Sequence, residues 1–361
     1  MNFNKNVTII LEDGSQFNGH SFGTNKNVTG EIVFNSAMNG YAECLTDPAY
    51  LDQIMILTYP LVGNYGIPKQ EIKNGISNFL ESEKIHTSAV IVSDYSKECS
   101  HWNAETTLSD WLIEENIVGV CDVDTRAITK LLREKGNMKA KIISNSSDNI
   151  DFVDTNLVNQ VEIVSCKKII TYNDGANRKK IVLIDCGVSH SIIRNFIAMD
   201  LCIIRVPWDF NFNEIDFDGL FISNGPGNPD FCDKTLHHLK QNLNNNKPIC
   251  GIGLGHQILA KSTGAKIYKL KNGHRSNNQP VRMLGTNNCF ITSQNHNYAV
   301  DNSTLDSDWK ILFANINDET NEGIIHKNKP FFSTQFYPEI CNEIGDTEFI
   351  FNKFVKNIEN M

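Results

Sequence analysis

The sequence predicts an α/β protein in which a mixed α+β N-terminal domain precedes a doubly wound parallel sheet. In the second half, short apolar runs end in Gly or Asp and alternate with amphipathic stretches, which is typical of repeated β-α-β units. The first half opens instead with alternating segments that are broken by turn residues. A polar, weakly periodic segment separates the halves. We therefore place the domains at 1–145 and 180–361, with a linker at 146–179.

The N-terminal domain is predicted to begin with strands and to continue with helices. The candidate strands are VTIILEDG (7–14), SQFNGHSFG (15–23) and EIVFNSAM (31–38), and the candidate helices are TTLSDWLIEENI (106–117) and DTRAITKLLREKG (124–136). The second helix should end at Gly136, because glycine is the usual residue after a helix C-terminus. The segment LTYPLVGNYGIP (57–68) is rich in turn formers and predicts an ordered loop.

In the C-terminal domain, four apolar runs predict parallel strands: KIVLIDCG (180–187), LCIIRVPW (201–208), DGLFISNGPG (218–227) and PICGIG (248–253). Helical patterns such as SIIRNFIAMD (191–200) lie between them. Ligands of such sheets bind at the carboxyl ends of the strands. SNGPGNP (223–229) and GIGLGHQ (251–257) both fall at strand ends, so we expect them to face one crevice.

Composition and charge exclude several classes of function. The 361 residues carry a net charge of -9 with no Lys/Arg-rich block, so nucleic acid and anionic membranes are not expected as partners. No apolar stretch approaches the roughly 20 residues of a membrane helix. The short apolar run near the N-terminus predicts a first strand rather than a signal peptide. We expect a cytoplasmic protein, or a mitochondrial one if a transit segment has been removed.

The cysteines and histidines do not predict a metal site. None of the ten cysteines forms a C-x-x-C pair, and His237-His238 has no ligand spacing to a cysteine or carboxylate. Cys186 and Cys202 lie within apolar runs, as expected of buried, reduced thiols.

The segment CGIGLGHQ (250–257) has the form of a nucleophile elbow, a sharp turn between a strand and a helix. In a G-x-Nuc-x-G turn the middle residue carries the nucleophile. Here that residue is Gly253, which has no side chain.

Motifs along nearly the whole chain resemble one known family. They are LEDGSQFNG (11–19), GEIVFNSAMNGYAECLTDPAY (30–50), LTYPLVGNYGIP (57–68), DVDTRAITKLLREKG (122–136), FDGLFISNGPGNP (217–229), GIGLGHQILAKSTGAK (251–266), NQPV (278–281), SQNHNYAV (293–300) and STQFYPE (333–339). The second half resembles a class I, triad-type glutamine amidotransferase domain. The whole chain resembles the small, glutamine-hydrolysing chain of carbamoyl phosphate synthetase, and VPWDFNF and NYGIP resemble the eukaryotic fused form.

The resemblance implies acyl transfer through a cysteine thioester, with a histidine as base and a carboxylate that orients it. The cysteine position is Gly253, the histidine position is Tyr337, and Glu339 is the triad member that remains. Tyrosine, with an ordinary pKa near 10, is a poor general base at neutral pH. A partner large chain would bind ATP, Mg²⁺ and bicarbonate, and no cofactor is expected in this chain.

The glutamine pocket implied by the resemblance is altered less than the catalytic triad. Its serine position is Ala37, with Ser36 one residue away, while its other residues are Gly225, Gly227, Leu254, Gln257, Asn295, Asn297 and Tyr298. Asn297 and Tyr298 stand where the family has glycine and phenylalanine. Because asparagine tolerates a left-handed backbone, we expect the loop that holds them to form.

Other residues could replace the missing thiol or base. Cys250 should be buried in its strand, whereas Cys232 and Cys341 are expected in loops near the crevice. His256 and His296 are expected to be structural residues that pack and form hydrogen bonds.

Three functions remain open. The chain is a non-catalytic partner of an ammonia-using synthetase, an active glutamine-hydrolysing subunit with displaced chemistry, or a module that binds glutamine without turnover. The pathway, pyrimidine or arginine synthesis, is also left open.

Overall fold

The computed structural model describes residues 5–144, 150–338 and 345–361. The chain divides into two compact units, Met1–Leu157 and Val158–Met361. Within the described ranges, no helix combines the length and the apolar character that crossing a bilayer requires.

Within residues 5–144 and 150–157, the first unit contains eleven strands and three α-helices. The strands are β1 (Asn6–Leu11), β2 (Gln16–Ser21), β3 (Val28–Asn35), β4 (Gln53–Leu57), β5 (Ile67–Pro68), β6 (Ile72–Lys73), β7 (Ile76–Ser77), β8 (Ala89–Val92), β9 (Ala104–Thr106), β10 (Val118–Cys121) and β11 (Met138–Ile143). The helices are α1 (Tyr41–Thr46), α2 (Leu108–Glu114) and α3 (Thr125–Lys135). The predicted strands and helices of this half are confirmed.

Seven strands of the first unit close into a barrel in the order β1-β11-β3-β4-β8-β10-β2. The pairs β3–β4, β4–β8 and β8–β10 are parallel and the others antiparallel, so the sheet is mixed; the alternating segments of the sequence had left a mixed and an antiparallel sheet open. Strand β4 shows why these runs are apolar throughout. Ile54 and Ile56 belong to one core cluster with α3, whereas Met55 and Leu57 belong to another with α2. Both faces of the strand are therefore buried.

The helices of this unit begin and end where their sequences indicate. The Thr107 hydroxyl accepts a hydrogen bond from the Asp110 N–H at 3.1 Å, and the Asp124 carboxylate accepts one from the Ala127 N–H at 2.8 Å. Gly136 follows α3 with φ 94°, which confirms it as the C-terminal cap.

The described part of the second unit, residues 158–338 and 345–361, contains ten strands and five α-helices. The strands are β12 (Ile170–Tyr172), β13 (Lys180–Asp185), β14 (Cys202–Pro207), β15 (Gly219–Ile222), β16 (Ile249–Ile252), β17 (Ile267–Met283), β18 (Cys289–Val300), β19 (Trp309–Asn315), β20 (Asn321–His326) and β21 (Phe331–Thr334). The helices are α4 (Gln160–Val164), α5 (His190–Ala198), α6 (Asp233–Asn242), α7 (Leu254–Ser262) and α8 (Phe349–Glu359).

These strands form one sheet in the order β12-β14-β13-β15-β16-β21-β20-β19-β17-β18. Strands β14, β13, β15, β16 and β21 are parallel, which confirms the predicted parallel sheet. Strands β20, β19, β17 and β18 extend the sheet in an antiparallel arrangement that the sequence did not predict.

The segment interpreted as a linker is ordered where it enters the second unit. Strand β12 pairs antiparallel with β14, and helix α4 precedes it. The buried carboxylate of Asp185 accepts a hydrogen bond from the Cys166 N–H at 2.7 Å and forms an ion pair with Arg205 at 2.7 Å. Residues from 158 onward therefore belong to the second unit, whereas the sequence placed its start at 180. Their polar composition hid contacts that depend on distant strands.

Candidate active site

Gly253 forms the turn between β16 and α7, and its backbone has φ 57° and ψ −114°. Side chains with a Cβ rarely adopt this conformation, because it is strained for them. The Gly253 N–H donates to the Thr334 carbonyl of β21 at 2.9 Å, and the Gly253 carbonyl accepts from the His256 N–H at 3.1 Å. The predicted strand–turn–helix elbow is therefore present, with glycine at its tip.

The NGPG segment lies directly beside this elbow. A Cβ at Gly225 would stand 1.9 Å from the Cys186 carbonyl oxygen and 3.2 Å from Leu254 Cδ2, so only glycine fits there. Because β15 and β16 are parallel neighbours, the segments that follow them meet at one edge of the sheet, as predicted. Gly227 follows with φ 85° and faces Gln160.

Tyr337 occupies the space beside the elbow. Its N–H donates to the Ser293 carbonyl at 2.9 Å, and its side chain is buried. A Cβ at Gly253 would lie 3.0 Å from Tyr337 Cε1. A side chain at position 253 would therefore be in tight contact with this ring. Glu339 and Cys341, which the sequence analysis also named, lie outside the described residues.

Asn295, Asn297 and Tyr298 lie within strand β18, so the predicted loop is wrong. Asn295 pairs with Arg275 and Tyr298 with Lys269 of β17, and Asn297 is not among the residues with positive φ. The Asn297 amide oxygen accepts a hydrogen bond from Arg275 Nη2 at 2.6 Å. Pairing with β17, the strand that precedes β18 in the chain, satisfies this backbone, which local residue preferences do not reveal.

Gln257 connects the elbow helix to the same strand. Its Nε2 donates to the Tyr298 carbonyl at 3.1 Å and to Gln335 Oε1 at 2.9 Å. Leu254, at the start of α7, is also buried. Among the predicted pocket residues, the structure places Gly225 beside Leu254 and joins Gln257 to Tyr298, while the set as a whole stays a prediction.

Ala37 belongs to the first unit, directly after β3. Its N–H donates to Asn35 Oδ1 at 2.8 Å. It lines a shallow surface depression with Met38, Tyr59 and Leu61, which are exposed.

The candidate replacement groups are buried. Cys250 and Cys232 are fully buried, and burial raises the pKa of Cys232 to about 12, so its thiol stays protonated at neutral pH. His256 Nδ1 lies 2.8 Å from Ser333 Oγ, and burial lowers the pKa of His256 to about 3. His256 is therefore a neutral, structural histidine.

Asn224 is a site residue that the sequence analysis missed. Its Oδ1 accepts from the Ser189 N–H at 3.1 Å, and its Nδ2 donates to Ser189 Oγ at 2.7 Å. A Cβ at Gly253 would lie 3.4 Å from Asn224 Cβ. Its position between a strand end and Gly225 is the signal that could have identified it.

Comparison with known proteins agrees with this geometry. The family "Glutamine amidotransferase class-I" matches residues 182–357, so the second unit is a class I glutamine amidotransferase domain. The family "Carbamoyl-phosphate synthase small chain, CPSase domain" matches residues 9–142. A relative from Schizosaccharomyces pombe, "Carbamoyl phosphate synthase arginine-specific small chain", is 42% identical over 98% of this chain and 87% of its own length. The chain belongs to the family of carbamoyl phosphate synthase small chains.

Two other relatives are much longer than this chain. "Multifunctional protein CAD" of Squalus acanthias is 45% identical over 95% of this chain, which spans 15% of that relative. "Carbamoyl-phosphate synthase [ammonia], mitochondrial" of Homo sapiens is 42% identical over 97% of this chain, which spans 24% of that relative.

Proposed function

We propose that this chain is a carbamoyl phosphate synthase small chain without glutaminase chemistry, which acts as the non-catalytic partner of an ammonia-using synthetase chain. The observation that carries the proposal is Gly253 at the tip of a formed elbow, with φ 57° and ψ −114°. The turn that presents a nucleophile is present, but no side-chain atom is there to attack an amide.

The surroundings of Gly253 support the same proposal. Tyr337 Cε1 lies 3.0 Å from the position of a Cβ at 253, so the ring would crowd any side chain there. A phenol is also a weak general base at neutral pH. Cys232 is buried and protonated, which argues against its replacing the missing thiolate.

The names of the relatives suggest the partner and the nitrogen source. The human relative is named for ammonia, and it is more than four times as long as the part that this chain matches. We infer that a large chain, separate or fused, binds ATP, Mg²⁺ and bicarbonate, while this chain holds no cofactor. The fission-yeast relative favours the arginine pathway over pyrimidine synthesis. The compartment is the cytoplasm or, as in the human relative's name, the mitochondrion.

Release of ammonia and glutamate from glutamine tests this proposal. The purified chain is assayed alone and with a carbamoyl phosphate synthase large chain, beside the variants Gly253→Cys and Gly253→Cys/Tyr337→His. We expect no release from the natural chain or from the single variant, since Tyr337 still crowds the elbow and supplies no base. The double variant should release glutamate.

Two outcomes favour the other functions. Glutamate release by the natural chain above the blank would mean that displaced groups hydrolyse glutamine. The variant Cys250→Ser would then show whether the nearest strand thiol is the nucleophile. Saturable glutamine binding by calorimetry without release would indicate a glutamine-binding module.

A further inference from the structure

Three antiparallel strands of the second unit bring two histidines and a glutamate together. His274 of β17 and His296 of β18 are cross-strand partners, and their rings are 4.7 Å apart. Glu322 of β20 faces both and is completely buried. The ligand atoms His274 Nδ1, His296 Nε2 and a Glu322 carboxylate oxygen all lie within 4.8 Å of one another.

Three of four separations between these atoms are close to the spacing of ligands around a bound ion, and the fourth, 2.8 Å between Gln294 Oε1 and His274 Nδ1, is a hydrogen-bond distance. Glu322 Oε1 lies 3.4 Å from His274 Nδ1 and 3.7 Å from His296 Nε2. Gln294 Oε1 lies 2.8 Å from His274 Nδ1 and 3.3 Å from His296 Nε2. Around a tetrahedral Zn²⁺ with bonds of about 2.1 Å, neighbouring ligand atoms are roughly 3.4 Å apart.

The hydrogen bond made by His296 Nδ1 leaves a lone pair on the other ring nitrogen, Nε2, which faces acceptor oxygens. His296 Nδ1 lies 2.9 Å from the Tyr298 carbonyl, so this nitrogen carries the ring hydrogen and donates it. Nε2 then presents a lone pair toward the oxygens of Gln294 and Glu322. A cation bound between His296 Nε2 and these two oxygens would be attracted to the lone pairs of all three atoms.

Glu322 and Asp318 add two further features of a metal site. Glu322 Oε1 lies 3.2 Å from Thr320 Oγ1, whereas Oε2 has no hydrogen-bond partner within residues 5–144, 150–338 and 345–361. A buried carboxylate oxygen without a donor is costly. His274 Nε2 lies 2.9 Å from Asp318 Oδ2, the type of carboxylate contact that orients metal-bound histidines.

We propose that His274 Nδ1, His296 Nε2 and Glu322 bind a divalent transition-metal ion of the Zn²⁺ type, with the Gln294 amide oxygen as a fourth ligand. The site is buried and its ligands are protein atoms, so its role is structural: it joins β17, β18 and β20. The sequence analysis predicted no metal because it looked for cysteine pairs and short spacings. The site is independent of the proposed absence of glutaminase chemistry.

Metal binding to the full chain, purified without a histidine tag, tests the proposal. The protein is treated with a chelator, exchanged into metal-free buffer and titrated with Zn²⁺ alone, with metal content measured by mass spectrometry. We expect one ion per chain and a higher melting temperature with Zn²⁺. Co²⁺ should give visible absorption bands that Zn²⁺ abolishes.

Matched variants test whether the ion binds at this cluster. Glu322→Gln keeps the side-chain shape but removes the charge, so we expect at least a tenfold loss of Zn²⁺ affinity. Asp318→Asn should weaken binding by about 10- to 100-fold through the orientation of His274. Glu319→Gln, which changes an exposed carboxylate of the same hairpin, should leave the affinity unchanged.

The proposal is overturned if the natural chain binds no Zn²⁺, since a proton or a reoriented Gln294 amide would then satisfy the cluster. It is also overturned if the natural chain and Glu322→Gln bind Zn²⁺ equally. If Glu322→Gln does not fold, the stoichiometry and the Co²⁺ spectrum of the natural chain decide the question.

Discussion

The parallel and antiparallel halves of the sheet in the second unit are built in different ways. At the carboxyl ends of β13 and β15, backbone segments approach so closely that Gly225 has no room for a Cβ. In the antiparallel half, β17 and β18 pair with two register shifts, and polar side chains such as His296 and Glu322 fill the interior.

This difference shows that the backbone shape of a site can form without the side chains that would react there. The elbow is held by glycines and by backbone hydrogen bonds, such as that from the Gly253 N–H to Thr334. It therefore forms without any nucleophile at position 253. The antiparallel cluster depends on the side chains themselves, so a change of one atom in Glu322 would alter it.

The largest effect should come from the closest backbone approach. In Gly225→Ala the new Cβ would stand 1.9 Å from the Cys186 carbonyl oxygen, and the backbone would have to move. We expect a loss of roughly 4 kcal/mol or more in the free energy of unfolding. Urea denaturation measures it. Gly264→Ala is the matched control, because Gly264 has φ 100° but no neighbour within 4 Å. Equal losses in both variants would show that close approach does not shape this edge.

His256, beside the elbow, should make stability depend on pH. Burial lowers the pKa of His256 to about 3 in the folded protein, compared with 6.5 for an ordinary histidine. The unfolded chain therefore binds the proton first as the pH falls below 6.5. The folded state then loses up to about 1.4 kcal/mol per pH unit.

The variant His256→Asn isolates this contribution. Between pH 7.5 and pH 5.0, the natural chain should lose about 2 kcal/mol of unfolding free energy relative to this variant, because asparagine does not titrate there. The difference between the two proteins in the free energy of unfolding should therefore shrink by that amount. Chemical denaturation at the two pH values measures the change. A constant difference would mean that His256 is not held neutral.

The smallest effect should come from restoring a side chain at the elbow. Gly253→Cys should lower the free energy of unfolding by about 1–3 kcal/mol, or leave it unchanged, because cysteine is strained at φ 57° and crowds Tyr337. A double-mutant cycle with Tyr337→His should show coupling of about 0.5–3 kcal/mol, since the two side chains share one space. A clear rise in melting temperature for the single variant would contradict this account.

Much of the fold followed from local sequence pattern. Strands β13 and β16 end where their apolar runs meet Asp185 and Gly253, and α3 ends before Gly136. The elbow was also predictable, because the turn and its glycines lie within a few consecutive residues. These features depend on neighbours in the chain, whose preferences the sequence displays directly.

Only the tertiary structure decided the rest. Residues 294–298 were expected in a loop, but pairing with β17 makes them a strand. The contact of Tyr337 with the Cβ position of Gly253, and the meeting of His274 with Glu322, join residues that are far apart in sequence. Strand register sets such contacts. Register results from the burial of whole faces and not from the preference of any single residue. The sequence alone therefore determined elements such as β13, β16 and α3, and the missing nucleophile, but neither the antiparallel strands nor what surrounds the elbow.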